Sequence, residues 1–196
     1  MLSNVKRRLM NGPRKRVLAL VTAPAAVMAV ALCAGLAGIR INTSPSLPMG
    51  LYRTTSDSTD SLIEFCPPGQ YDQNSAGRGY RATGVCDDGG APLLKPVIAR
   101  PGDVVQVSEA GIAVNGNLLP HTAPRTVDSK GRRLRSWPAG RYTVAAGTVW
   151  AASSYNEYSY DSRYFGPVPT AAIRQHLRAL CTLYSYETGV RSSRSR

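Results

Sequence analysis

Apolar residues run without a charge from Val17 to Ile39, 23 positions reading VLALVTAPAAVMAVALCAGLAGI. A helix of that length, at about 1.5 Å per residue, crosses a bilayer core of roughly 30 Å. Pro24 lies near its N-terminal end, where a kink is tolerated. Beyond Arg40 the pattern changes. INTSPSLPMGLYR carries Pro45 and Pro48, which prevent a helix, and TTSDSTDS is a polar linker. From Leu93 short apolar runs alternate with turn residues: LLKPVIA, a Pro101-Gly102-Asp103 turn, then VVQV. GIAVNGNLL follows, with Asn115-Gly116 marking a hairpin between two apolar runs. RYTVAAGTVWAAS gives two more short strands around a Gly. Only PTAAIRQHLRAL, residues 169–180, has some helical character, with loop and strand as the alternative. The pattern predicts a mainly β body of short strands and tight turns, behind one N-terminal transmembrane helix.

Charge sharpens this organisation. The chain has 24 Lys and Arg against 12 Asp and Glu. Six of the bases (Lys6, Arg7, Arg8, Arg14, Lys15, Arg16) fall in residues 1–16 with no acid, and Arg191, Arg194 and Arg196 end the chain. What remains, residues 17–190, holds 15 bases and 12 acids. That is too even a balance for a nucleic-acid surface, and the cluster of Lys130, Arg132, Arg133 and Arg135 reads as a solvated loop. Six bases before the apolar run, against Arg40 alone just after it, orient the N-terminus in the cytoplasm. The expected division is a basic cytoplasmic segment over 1–16, an anchor over 17–39, an exported domain over 40–190 and an Arg/Ser tail over 191–196. This makes a single-pass inner-membrane protein with its body in the periplasm. The alternative is a cleaved signal, whose apolar core is usually only about 7–15 residues. Lipidation at Cys33 is disfavoured by Leu32, where a small residue is expected.

Export makes the cysteines interpretable. Cys66, Cys86 and Cys181 face an oxidising compartment and allow three pairings or three free thiols. Cys66 and Cys86 bracket the irregular stretch PPGQYDQNSAGRGYRATGV and are the expected pair, a short closure worth roughly 3 kcal/mol by chain entropy. With only His121 and His176 there is little to build a zinc site from, so no metal or cofactor is expected.

GxSxG and HExxH are both missing from the sequence. The simple route left to a nucleophilic hydrolase is a Ser held by a rigid backbone and a Lys kept neutral by burial. Ser46 lies between Pro45 and Pro48, seven residues past the apolar run. Lys95 lies between APLL and PVIA, the most apolar surroundings of any base beyond the anchor. To act as a base it must fall from about 10.4 to about 7–8, and desolvation can supply that shift. In SYDSRYFGPVP, Asp161 and Arg163 have strand-like spacing on one face, shared by Ser159.

In this order, NTSPSLPMGLY, KPVIARPGDVV and SYDSRYFGPV resemble the conserved boxes of the signal peptidase I superfamily, and most of all its TraF-type conjugal-transfer branch. The resemblance covers roughly residues 38–185. It implies a signal-peptidase-like antiparallel β-sheet catalytic domain, with Ser46 as nucleophile and Lys95 as general base. It also implies an oxyanion hole from Ser44 and the Ser46 N–H, with Ser159, Asp161 and Arg163 supporting the site. The substrate implied is a pilin precursor, hydrolysed or closed into a ring, at the inner-membrane lipid surface and beside conjugative type IV secretion components. Ser-Leu-Pro, where general signal peptidases have Ser-Met-x-Pro, points to the specialised branch. Two alternatives stand: a general type I signal peptidase acting on secretory precursors, and a non-catalytic periplasmic assembly factor. The latter calls for an exposed Lys95 far from Ser46.

Overall fold

The computed structural model describes residues 13–59, 61–69 and 72–183, with only the backbone for 13–19, 21 and 23. Most of the basic segment and the whole Arg/Ser tail lie outside the described residues. The chain divides after Ile39 into two units.

The first unit contains helix α1, Pro13–Leu36, with Pro24 inside it. The apolar run predicts helical residues to Ile39, but the helix stops at Leu36. Ala37 and Gly38 donate back to Cys33 and Gly35, and Gly38 takes φ 75°, a conformation that ends helices. Ile39 already belongs to a strand. Among the described residues no helix is long and apolar enough to cross a membrane.

The second unit is built from strands. β1 (Ile39–Asn42), β2 (Gly50–Thr55), β3 (Leu62–Phe65) and β4 (Leu93–Ala99) share a seven-stranded sheet with β9 (Thr148–Ala151), β10 (Val168–Pro169) and β11 (Ile173–Thr182). Their order is β1-β2-β11-β3-β4-β9-β10. A smaller sheet runs β7-β6-β5-β8, from β5 (Val104–Ser108), β6 (Gly111–Val114), β7 (Asn117–Leu118) and β8 (Gly140–Thr143). The described pairings are antiparallel. The Asn115-Gly116 hairpin forms between β6 and β7, with φ of 49° and 86°, as a two-residue turn requires.

Residues 169–180 resolve into a 3-10 turn (Thr170–Ala172) and β11. Pairing overrides the weak helical pattern here, because β11 lies between β2 and β3 and buries Leu177 between them.

Among the described residues three apolar clusters hold the body. Ile98, Val105, Ile112 and Trp150 belong to the first, between the two sheets' strands, and Ile63, Phe65, Val149 and Phe165 to the second. Leu47, Tyr52, Leu62 and Leu177 form the third. Leu47 lies directly after Ser46, so burial of one side chain anchors the turn that presents the other.

Candidate active site

β4 carries Lys95 inward. The residue lies opposite Ile63 on β3 and is only 2% exposed, in a strand that stays buried to Ala99. Burial pushes its amine down to about 8, with the Asp161 carboxylate pulling up and the Arg163 guanidinium pushing down. Nζ donates to Ser159 Oγ at 2.8 Å. That hydrogen bond goes to Ser159 rather than to Ser46.

Asp161 and Arg163 differ from the strand-like pair that spacing suggested. Asp161 is the N-cap of a short helix, α2 (Ser162–Phe165), and accepts from the Arg163 N–H at 3.2 Å. A carboxylate ahead of an unpaired first turn satisfies a backbone donor, which is why Asp is favoured at that position. Gly166, at φ 75°, ends the turn against the Trp137 ring, where a Cβ would collide. Both members of the ion pair are wholly buried. Arg163 Nε donates to Asp161 Oδ1 at 2.8 Å and Nη2 to Oδ2 at 3.0 Å. Its other N–H groups donate to the carbonyls of His121, Glu157 and Ser153 at 2.9, 3.0 and 2.8 Å. All five donors are used, which is what makes a buried guanidinium tolerable.

Ser46 occupies the turn after β1. Asn42 shapes it by donating to the carbonyls of Ser44, Leu47 and Pro48 at 3.0, 3.2 and 3.2 Å and accepting from the Ser44 N–H at 3.1 Å. Tyr52 Oη donates to the Pro48 carbonyl at 2.6 Å. Ser44 Oγ lies 3.2 Å from Ser46 Oγ and accepts from the Ser46 N–H at 3.3 Å. The two groups expected to form an oxyanion hole are therefore bonded to each other. Ser44, Ser46 and Lys95 line one cleft of about 560 Å³.

A profile described as "Signal peptidase, peptidase S26" matches residues 14–180, most of the chain. The chain belongs to that family. It is 38% identical over 164 residues to the "Plasmid transfer protein TraF" of Escherichia coli, covering 81% of this chain and 92% of that one. Identity is 36% over 162 residues to the "Probable conjugal transfer protein TraF" of Sinorhizobium fredii, covering 80% and 84%. The crystal structure of a signal peptidase I from Enterococcus faecalis V583 aligns at 19% identity and TM-score 0.35, over 65% of this chain and 99% of that one, a likeness too slight to carry an argument.

One wall of this S26 cleft comes from two stretches whose sequence reads as irregular loop. Cys66 and Cys86 do form a disulfide, and the stretch they close brings Tyr80 and Arg81 to the cleft. Val127, Asp128 and Leu134, from the stretch around the basic cluster, line it too. The two stretches are joined. Tyr80 Oη donates to Asp128 Oδ2 at 2.6 Å, Arg78 Nη1 to the Arg133 carbonyl at 2.9 Å, and Arg132 Nη2 to the Arg78 carbonyl at 2.9 Å. Gln73 and the Arg135 backbone exchange two more hydrogen bonds. Arg81, buried, pairs with Asp88 and Asp72. Asn42, Ser153 and Asn156 carry no signal in the sequence, because each acts on the Ser46 turn through the backbone, which leaves no motif.

Proposed function

We propose that this chain is a membrane-anchored serine endopeptidase of conjugation, acting through a Ser46–Lys95 dyad on a pilin precursor. The observation that carries the proposal is Lys95, a buried amine lowered to about 8 that shares a cleft with the hydroxyl of Ser46. A protonated amine is useless as a base, and desolvation keeps a working fraction neutral near pH 8. Neutral Lys95 takes the Ser46 proton as Oγ attacks the scissile carbonyl. The oxyanion is met by the Ser46 N–H and the Ser44 hydroxyl. Lys95 then returns the proton to the leaving amine, and the acyl-enzyme on Ser46 is released by water. Release by an amine of the pilin instead closes a ring, with loss of water overall relative to the hydrolysed peptide. Ser159 orients the amine, and Asp161 with Arg163 supports the segment that carries Ser159.

Names of the relatives support conjugation as the setting, and Ser-Leu-Pro at the nucleophile supports a specialised rather than a general enzyme. The uncharged run over 17–39 and the six preceding bases support an inner-membrane anchor, with the body on the periplasmic side. A disulfide suits that compartment. Burial of Lys95 runs against the assembly-factor reading, which calls for an exposed one. The test is intact-mass analysis of a co-expressed conjugative pilin precursor beside a model secretory precursor. Pilin-only processing that disappears with Ser46→Ala and with Lys95→Ala is expected. Wild-type processing by either variant sinks the dyad, and cleavage of the secretory precursor moves the chain to the general enzyme.

A further inference from the structure

A peptide backbone on either side of a nucleophile fixes where its side chain points, and here both flanking peptide units are held from one distant segment. The unit between Pro45 and Ser46 contains the Pro45 carbonyl and the Ser46 N–H in a single plane. Asn156 Nδ2 donates to that carbonyl at 3.2 Å. The unit between Ser46 and Leu47 contains the Ser46 carbonyl, and Ser153 Oγ donates to it at 2.5 Å. Sequence separations of 111 and 107 residues make both contacts tertiary.

Neither donor is free to turn away. A serine hydroxyl has one proton and two lone pairs. Ser153 Oγ accepts from the N–H groups of Tyr155 and Asn156 at 3.1 and 3.3 Å, so its proton is left for the Ser46 carbonyl. Asn156 Oδ1 accepts from the Tyr158 N–H at 2.8 Å, which turns Nδ2 toward Pro45. Ser153 is wholly buried, and the ion pair grips its backbone from both ends. Its N–H donates to Asp161 Oδ2 at 3.0 Å, and its carbonyl accepts from Arg163 Nη2 at 2.8 Å. The Asn156 carbonyl accepts from the Ser159 N–H at 3.1 Å, and Ser159 holds Lys95.

We infer that Ser153 and Asn156 are positioning residues, a clamp on the two peptide units flanking Ser46 that sets its Oγ and its oxyanion-binding N–H relative to Lys95. This rests on Ser46 being the nucleophile. Residues 153–159 thereby tie the nucleophile's backbone and the base's hydrogen-bond partner to one buried ion pair. A displacement near 1 Å at reacting atoms costs up to about 100-fold in rate, so the clamp acts on kcat.

The experiment is steady-state processing of the pilin precursor by the full chain in detergent, comparing wild type with Ser153→Ala, Ser153→Thr, Asn156→Ala and Ser46→Ala. Expected for Ser153→Ala and Asn156→Ala is a kcat lowered about 10- to 100-fold with KM changed less than about threefold and the pH midpoint of kcat unmoved. Ser153→Thr keeps the hydroxyl and is expected to recover most of the loss. Asn156→Ala, half-buried and away from the ion pair, keeps the test open if Ser153→Ala does not fold. Wild-type kcat in folded Asn156→Ala and Ser153→Ala overturns the clamp while an inactive Ser46→Ala leaves the nucleophile in place. Activity in Ser46→Ala, or a wild-type chain that processes no pilin precursor, overturns the nucleophile reading and the clamp with it.

Discussion

The amine of Lys95 donates to the hydroxyl of Ser159 at 2.8 Å, two wholly enclosed side chains 64 residues apart in sequence. Lys95 comes from a central strand and Ser159 from the irregular segment ahead of α2. The contact gives the amine a direction while burial lowers its proton affinity, and an ammonium donates to that oxygen more strongly than a neutral amine does. Ser159→Ala is expected to lower the pH midpoint of kcat by up to about one unit and to lower kcat itself. A midpoint that rises, or a kcat left unchanged, removes Ser159 from the site.

Rate should follow the deprotonation of Lys95. With the amine near 8, single-turnover processing is expected to climb about tenfold per pH unit up to that point and to level off above it. A flat profile between about pH 6 and pH 10 would show that no group with this proton affinity takes part.

The same burial has a cost in stability, and its sign is fixed. Lys95 is lowered in the folded chain from 10.5 to about 8, so the unfolded chain binds more protons between those values. Stability therefore rises as pH increases from about 8 to about 10.5, and below 8 the full penalty, on the order of 3 kcal/mol, applies. Lys95→Met removes the buried amine and is expected to melt higher than wild type at pH 7, with the gain shrinking toward pH 10. Thermal melts at the two pH values check this; a variant that gains more at pH 10 than at pH 7 has the sign wrong.

Asp161→Asn strikes at a different kind of burial. The change leaves the Arg163 guanidinium enclosed without its counter-charge, and breaking such a pair costs about 3–5 kcal/mol. Denaturant unfolding is expected to show a loss of that size. Activity should fall with it, because Ser153 and Ser159 belong to the segment the pair holds. A loss below about 1 kcal/mol would mean that the pair behaves as an exposed one.

The Cys66–Cys86 bridge closes a stretch that lines the cleft. Reduction is expected to destabilise the chain by roughly 3 kcal/mol by chain entropy. Asp128→Asn weakens the joint with Tyr80 and Arg132 without opening the bridge, and is expected to raise KM with kcat changed less than about threefold. Equal losses in kcat and kcat/KM for Asp128→Asn would place the wall's contribution in the transition state instead.

Local pattern determined a good deal about this protein. Apolar runs alternating with turn residues marked strands β4 to β9, Asn115-Gly116 the hairpin, the bracketed polar stretch the disulfide, and LLKPVIA a lysine bound for the interior. Each of these is written in neighbouring residues, because strand period, turn chemistry and apolar flanks act over a few positions. Tertiary structure decided the rest. Residues 173–182 became a strand because β2 and β3 offered pairing on both sides, and Asp161 with Arg163 became a capped turn because an enclosed charge pair must satisfy its donors wherever carbonyls converge. The grip of Ser153 and Asn156 on the backbone around Ser46 joins residues more than a hundred positions apart through carbonyls that every sequence has. A backbone carbonyl carries no signature in the sequence, so only the folded chain shows which one is held.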